Sequence, residues 1–430
     1  MDKIKVLVVP SDRTGVSYFR STGPHLALER LYTDEFHVDI DYQPQLKDDE
    51  FLKEYDLIHF HRSLGNYEEM ADKVDEEGKV IDGTITRCKA LGIPTIMDLD
   101  DHWAPGPHHP AYHLIKNSGL DKKILENLKL VDFVTTTTPS FAEEIKRYAK
   151  TANVTVLPNA IDTNEKQFQR NLVPSERVRI GWLGGSSHLK DLSLLKGTVA
   201  KLKTDNLIDK VQFVLCGFDL RGEVTEYDEH RNATKRKITP KESVWYKYEQ
   251  IFTADYSIVS PEYKEHLLEF KKGEFKGVEN EPYRRVWTKP IKTYAKNYNL
   301  FDISLAPLEE NLFNKVKSQL KVIEAGFHKK AIIAQNFGPY KIDLVSAYEK
   351  PKGKGLDPTW NMEANALLVD SHRNHKQWYQ HLKRLITNKE LRETLAENLH
   401  KTVTEKYSME KVTEDRRNLY IDLVKNKKKQ

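Results

Sequence analysis

The chain has 430 residues, 39% hydrophobic and 31% charged, with 68 basic against 64 acidic side chains for a net charge of +4. That length is too great for one ordinary domain, and the small net charge argues against a protein that tracks nucleic-acid phosphates. No apolar run approaches the roughly 20 residues of a membrane span, and two cysteines, Cys88 and Cys216, build neither a disulfide framework nor a cysteine metal site. A cytosolic protein of two α/β domains is the expectation.

In chain order, the first half reads as strands 4–9 (IKVLVV), 36–40, 56–60, 93–97, 132–137 and 154–157, with helical stretches between them at 18–32 and 66–91. The opening strand, straight after Met1-Asp2, reads as a buried strand and not a signal peptide. Pro158-Asn159-Ala160-Ile161-Asp162 then leads into a polar stretch. A second series follows: 178–183 (VRIGWL), 211–217, 302–308, 331–335 (AIIAQ) and 366–370. Strand–helix alternation of this kind predicts parallel sheets covered on both faces, with ligands at the carboxyl ends of the strands. We divide the chain into 1–165, 166–385 and closing helices 386–430, in which Leu391, Leu395, Leu399 and Val403 recur every fourth position. Residues 219–290, polar and rich in Tyr and charge, read as an insertion. Its aromatics suit either sugar or base stacking or a small core of their own.

Several loops carry chemistry. Gly15 in the turn after the first strand permits close approach of a ligand, and Arg20 stands early in the next helix, suited to an anion or a surface salt bridge. His59 and His61 end the third strand and alternate to the same side. Asp98-Leu99-Asp100-Asp101-His102 follows another strand; such carboxylates suit a divalent metal in a D-x-D arrangement or simple loop capping. His108, His109 and His113 lack the spacing of a helical zinc site and read as a loop. Gly184-Gly185-Ser186 with His188 and Lys190 again offers backbone donors to a phosphate. From Ala306 to Tyr340 the chain reads strand end, loop, helix, buried strand and Gly-Pro turn. Lys317, Lys321 and Glu324 are spaced i, i+4, i+7, which on one helix puts them on one face. Two ammonium groups and a carboxylate there suit a diphosphate and a ribose diol, although a solvated helix face has the same spacing. Three charge-assisted hydrogen bonds at roughly 1.5–3 kcal/mol each approach the ~8 kcal/mol of micromolar binding. The basic end, Lys425, Lys427, Lys428 and Lys429, reads as a solvated terminus or as a weak contact for anionic lipid.

Pro307, Leu308, Asn311, Phe313, Asn314, Lys317, Ser318, Lys321 and Glu324 together resemble the donor-binding motif of family 4-like glycosyltransferases of the GT-B fold. Thr138-Pro139-Ser140-Phe141 and Leu157-Pro158-Asn159 resemble that family's domain junction, and Gly15 to Arg20 its first loop. The resemblance implies two Rossmann-like domains flanking a cleft, the last helix crossing back to the first domain, and transfer of a sugar from a nucleotide-sugar co-substrate to a hydroxyl acceptor, as in polysaccharide or glycan synthesis. It implies Glu324 on the ribose, and Gly184, Gly185, Ser186, His188, Lys190, Phe313, Asn314, Lys317, Ser318 and Lys321 around the donor. It places His61, Asp100 and Asp101 near the reaction, and Gly15, Arg20 and His102 on the acceptor or phosphate side. It further implies no metal, no other cofactor, and retention of anomeric configuration. Two positions depart from the pattern: Val316 stands where the family carries a second glutamate, and Gly184 or Gly185 where it carries an arginine. An epimerase on the same frame, a degenerate nucleotide-sugar-binding protein and a transferase acting on modified DNA are the alternatives.

Overall fold

The computed structural model describes residues 3–62, 67–150, 152–171, 173–229, 233–347, 361–370 and 375–427. The chain forms two compact units: residues 1–163, 311–320 and 405–430 make the first, and 164–310 and 321–404 the second.

The first unit is built on a six-stranded parallel sheet of β1 (Ile4–Val9), β2 (Phe36–Ile40), β3 (Leu57–His61), β4 (Thr95–Leu99), β5 (Phe133–Thr136) and β6 (Val154–Val156), in the order β2-β1-β3-β4-β5-β6. Strands β1, β3, β4 and β5 are buried almost throughout because both faces are covered. Leu7, Val9, Ile58 and Phe60 point to a core shared with Phe141 and Ile145, whereas Val6 and Val8 point to one shared with Leu28 of α1 (Gly23–Leu31). Between Met70 and Thr84, where the sequence reads as helix, the chain instead makes a hairpin of Lys73–Val74 and Val80–Ile81.

The second unit has its own six-stranded parallel sheet: β7 (Val178–Leu183), β8 (Val211–Phe218), β9 (Tyr283–Trp287), β10 (Ile303–Ala306), β11 (Ala331–Gln335) and β12 (Leu367–Val369), ordered β9-β8-β7-β10-β11-β12. Strand β9 lies inside the stretch that reads as an insertion. Its Arg285 is buried because Glu249 takes both its Nε (2.7 Å) and Nη2 (2.6 Å), while the guanidinium stacks over Phe218. Trp245, Tyr248 and Phe252 of the same stretch join the main core of this unit. Helices α2 (Leu189–Ser193), α3 (Val244–Thr253) and α4 (Leu320–Phe327) matter for the site below. In the first unit, α5 (Met409–Lys427) lays Tyr420 and Val424 into the core beside Val6 and Val8.

Candidate functional site

In each sheet, connections leave the first strand to one side and later strands continue on the other. Doubly wound sheets bind ligands in the crevice at that switch point. In the first unit it falls between β1 and β3, and the loops ending β1, β3 and β4 bring a polar cluster there.

His61 closes β3 with its ring fully inside. Its Nδ1 is 3.1 Å from both Ser11 Oγ and Ser17 Oγ, and its Nε2 faces Asp100 Oδ1 at 3.4 Å without hydrogen-bond geometry. Arg62, the next residue, sits at φ 61°, a left-handed backbone that costs a residue with a Cβ roughly 1–2 kcal/mol. That backbone turns its guanidinium onto β4's end: Nε donates to Asp100 Oδ1 (2.5 Å), and Nη2 donates to Asp100 Oδ2 (2.7 Å) and Asp101 Oδ2 (2.6 Å). Burial alone would raise the Asp100 pKa. The Arg62 charge outweighs it and, with His61, holds that carboxylate well below the usual range. Sequence reasoning brought His61, Asp100 and Asp101 to one side of the reaction, and they do lie together. It missed Arg62, Ser11 and Ser17, for which the only signal was adjacency to a strand end.

Other sequence-based expectations in this unit need correction. Arg20 does not reach outward: it is 1% exposed, forked onto Asp98 (Nε–Oδ1 3.0 Å, Nη2–Oδ2 2.7 Å), and its Nη1 donates to Leu157 O and Asn159 Oδ1. The D-x-D carboxylates therefore face separate arginines, Asp98 towards Arg20 and Asp100 towards Arg62. His102 is buried against Trp103, its Nδ1 accepting from the Ala104 amide and its Nε2 3.8 Å from Glu144, so it presents no edge to an acceptor. Gly15 opens a single helical turn, Gly15–Ser17. His59 is a core group, its Nδ1 2.9 Å from the Tyr420 hydroxyl, which also meets His25 Nε2 (2.7 Å) and Arg416 Nη1 (3.1 Å). Lys427 pairs with Asp132 at 3.0 Å, Lys425 is exposed on the last turn of α5, and Lys428 and Lys429 lie outside the described residues.

Lys317, Lys321 and Glu324 do not share a helix face, because α4 begins at Leu320. Asn311 caps a separate turn, Leu312–Lys315, through the Asn314 amide (2.8 Å), and Val316 then buries itself in the first unit's core. That anchored side chain interrupts the helix implied by the spacing. In the first unit, Lys317 lies over the Phe313 ring (5.1 Å) and Phe313 meets His109 (4.8 Å). Asn314 is buried, and Ser318 is half-buried in the extended link to α4.

In the second unit the switch point lies between β7 and β10. Lys321 donates to Leu183 O at the end of β7 and sits 5.0 Å over the Trp182 ring. Gly184 is required here: a Cβ would stand 2.5 Å from the Trp182 ring and 3.1 Å from Lys321 Nζ, whereas Gly185 faces open space. The loop is closed from behind by the Tyr248 hydroxyl, which accepts from the His188 amide (2.7 Å) and donates to Gly185 O (3.2 Å). His188 Nδ1 meets Asp191 Oδ2 at 2.7 Å, and Asp191 Oδ1 takes the Glu309 amide after β10 at 2.7 Å. Ser186 and Lys190 are exposed. Less than one turn after Lys321, the buried Glu324 accepts from the hydroxyls of Tyr294 and Tyr298 (3.0 Å for the latter). Its pKa is raised by burial, with the Tyr294 hydroxyl and the Lys321 charge pulling the other way. Gly184, Gly185, His188, Lys321 and Glu324 thus belong to one sheet edge.

Among the described residues no group of three or more His, Cys, Asp or Glu side chains is arranged to hold a metal ion, and no helix is long and apolar enough to cross a membrane. No family model and no curated protein matches the sequence. Solved structures do. Sucrose-phosphate synthase from Thermosynechococcus elongatus matches at a TM-score of 0.60 and 14% identity, over 98% of this chain and 99% of that one. A glycosyltransferase from Rickettsia africae matches at 0.58 and 13%, over 99% and 100%. Anabaena HepE in complex with UDP-glucose matches at 0.56 and 13%, over 97% and 100%. Through these likenesses, which run the length of the chain, its fold is that of the GT-B glycosyltransferases.

Proposed function

We propose that the chain is a glycosyltransferase that moves a sugar from a nucleoside diphosphate donor to a hydroxyl acceptor. The observation that carries this reading is the β7 edge of the second unit, where Lys321 lies against a glycine turn that admits no side chain at Gly184 and Glu324 follows on the same helix. HepE, of the same fold, was solved with UDP-glucose. In this reading the 184–190 loop and Lys321 receive the diphosphate, and Glu324 exchanges its tyrosine hydroxyls for those of the ribose. His61, Asp100 and Asp101 serve the acceptor. Departure of the diphosphate is favoured by Lys190, Lys321 and backbone N–H groups of the second unit, since preorganised charge is usually the largest catalytic contribution. No divalent metal is assigned a role, and retention of configuration is our reading from the family resemblance. A glycan or polysaccharide hydroxyl is the acceptor class we favour.

The test is a thermal-shift and donor-hydrolysis panel of UDP-, GDP- and ADP-sugars on wild type and Glu324→Ala. A donor at about 100 times its dissociation constant stabilises a fold by roughly 2.7 kcal/mol. Stabilisation by one nucleotide class, lost in the variant, is the expected result. No shift by any donor refutes the reading. The anomeric proton coupling of the product decides retention.

A further inference from the structure

The unit 1 cluster carries more than a list of acceptor-side groups, because one residue organises the others. We propose that Arg62 is a positioning residue that aims Asp100 and Asp101 together at neighbouring hydroxyls, so that the acceptor is an uncharged polyol or glycoside and not a phosphate ester. The proposal rests on the transferase reading above.

A single nitrogen, Arg62 Nη2, holds Oδ2 of both Asp100 (2.7 Å) and Asp101 (2.6 Å). Two carboxylates gathered on one donor keep their outer lone pairs within the span of a diol, and ionised carboxylates accept strong hydrogen bonds from hydroxyls. The Asp101 side chain is 39% exposed and that of Asp100 12%, so both have an open side. The left-handed backbone at Arg62 stands at the end of β3, with its amide donating to Asp98 O at 2.9 Å. His61 supplies an independent indication: its Nε2 is fully buried, lacks a hydrogen-bond partner and is aimed at Asp100. The charged and titratable groups around Asp100 are Arg62 and His61 from β3, Asp101 beside it, Asp12 after β1, and Arg20, already forked onto Asp98. Asp100 and Asp101 already take up the Arg62 guanidinium and Asp12 is close to it, an excess of carboxylates that repels a phosphate; His109 is close to both Asp101 and Lys317, and Lys317 lies over Phe313.

The experiment uses the full chain and the donor selected by the thermal-shift panel. Nucleotide release is measured from pH 4.5 to 8 with glycerol, methyl glucoside or glycerol 3-phosphate as acceptor, for wild type, Arg62→Gln, Arg62→Lys and Asp100→Asn. Wild type should keep a flat rate to the acid end and favour the neutral acceptors at least tenfold. Arg62→Gln should lose tenfold or more in kcat with donor KM unchanged, and acquire an acid limb above the ordinary carboxylate value of about 4, because burial then acts without the opposing Arg62 charge. Arg62→Lys, which keeps the charge without the fork, should recover the flat profile in part. Carbon-detected NMR of the Asp100 carboxyl gives a readout independent of turnover, with titration moving up in Arg62→Gln. A superposable rate profile and titration in Arg62→Gln, or preference for glycerol 3-phosphate, overturns the proposal while leaving donor binding intact. If no donor binds wild type, the transferase reading fails and the proposal fails with it.

Discussion

Replacing Arg20 by alanine separates two accounts of that residue. As an anion-binding group on a loop it would cost little stability; as the buried partner of Asp98 it holds the first unit together. The fork to Asp98 is 1% and 0% exposed, and removing one member of a buried pair costs about 3–5 kcal/mol. Leu157 O and Asn159 Oδ1 also lose a donor, at about 1 kcal/mol each. These effects share one site and overlap, so we expect about 4–5 kcal/mol. Because a chain of two units need not unfold in one step, a global midpoint is the wrong measure. Hydrogen exchange of β1, β3 and β4 peptides is the right one. At about 1.4 kcal/mol per decade, exchange through unit opening should accelerate by roughly three orders of magnitude, with β8 and β11 peptides unaffected. Arg20→Met with Asp98→Leu, which removes both charges, should recover much of the loss. A change of less than tenfold in the β1 peptides would refute the structural account, particularly if phosphate affinity fell instead.

Gly184→Ala should destabilise the second unit by about 1–3 kcal/mol through overpacking against Trp182 and weaken donor binding by displacing Lys321, whereas Gly185→Ala should be nearly neutral; thermal melts with and without donor compare them. His25 and His59 are buried, and their burial holds both pKa values well below 6.5. Their neutral forms therefore stabilise the first unit above pH 6.5, and that contribution is lost as pH falls below it. The slope of stability between pH 6.5 and 5 should flatten in His59→Asn, as read by urea titration at each pH. Burial raises the thiols of Cys88 and Cys216 to about 12, so Ellman's reagent should find no fast-reacting thiol in the native chain and two in urea.

Strands that carry β-branched runs between polar breaks were legible in the sequence to the residue: β1, β2, β7 and β11 stand where IKVLVV, FHVDI, VRIGWL and AIIAQ predict. Strand β9 was not, because Arg284 and Arg285 mask it; only Glu249, thirty-six residues earlier, makes Arg285 tolerable inside. Local periodicity likewise misled over 66–91 and at Lys317, since neither the Val74/Val80 hairpin nor the burial of Val316 is written in spacing. Of the site, strand-end residues were found and their partners were not. Asp100 was visible, but Arg62, which sets its charge, and Tyr298, which meets Glu324, depend on tertiary approach.

The chain passes between its two units four times, after residues 163, 310, 320 and 404. Tyr420, which closes the first unit's core against His59, follows that histidine by 361 residues. During synthesis the Val6 and Val8 face, covered in part by Leu28 of α1, must therefore wait for Tyr420 and Val424 until α5 has been made. A segment ending near residue 163 would lack both α5 and the 311–320 segment. The first unit is consequently complete only once α5 has been made, and a chaperone that shields its partly open face during translation would act on this protein early and for long.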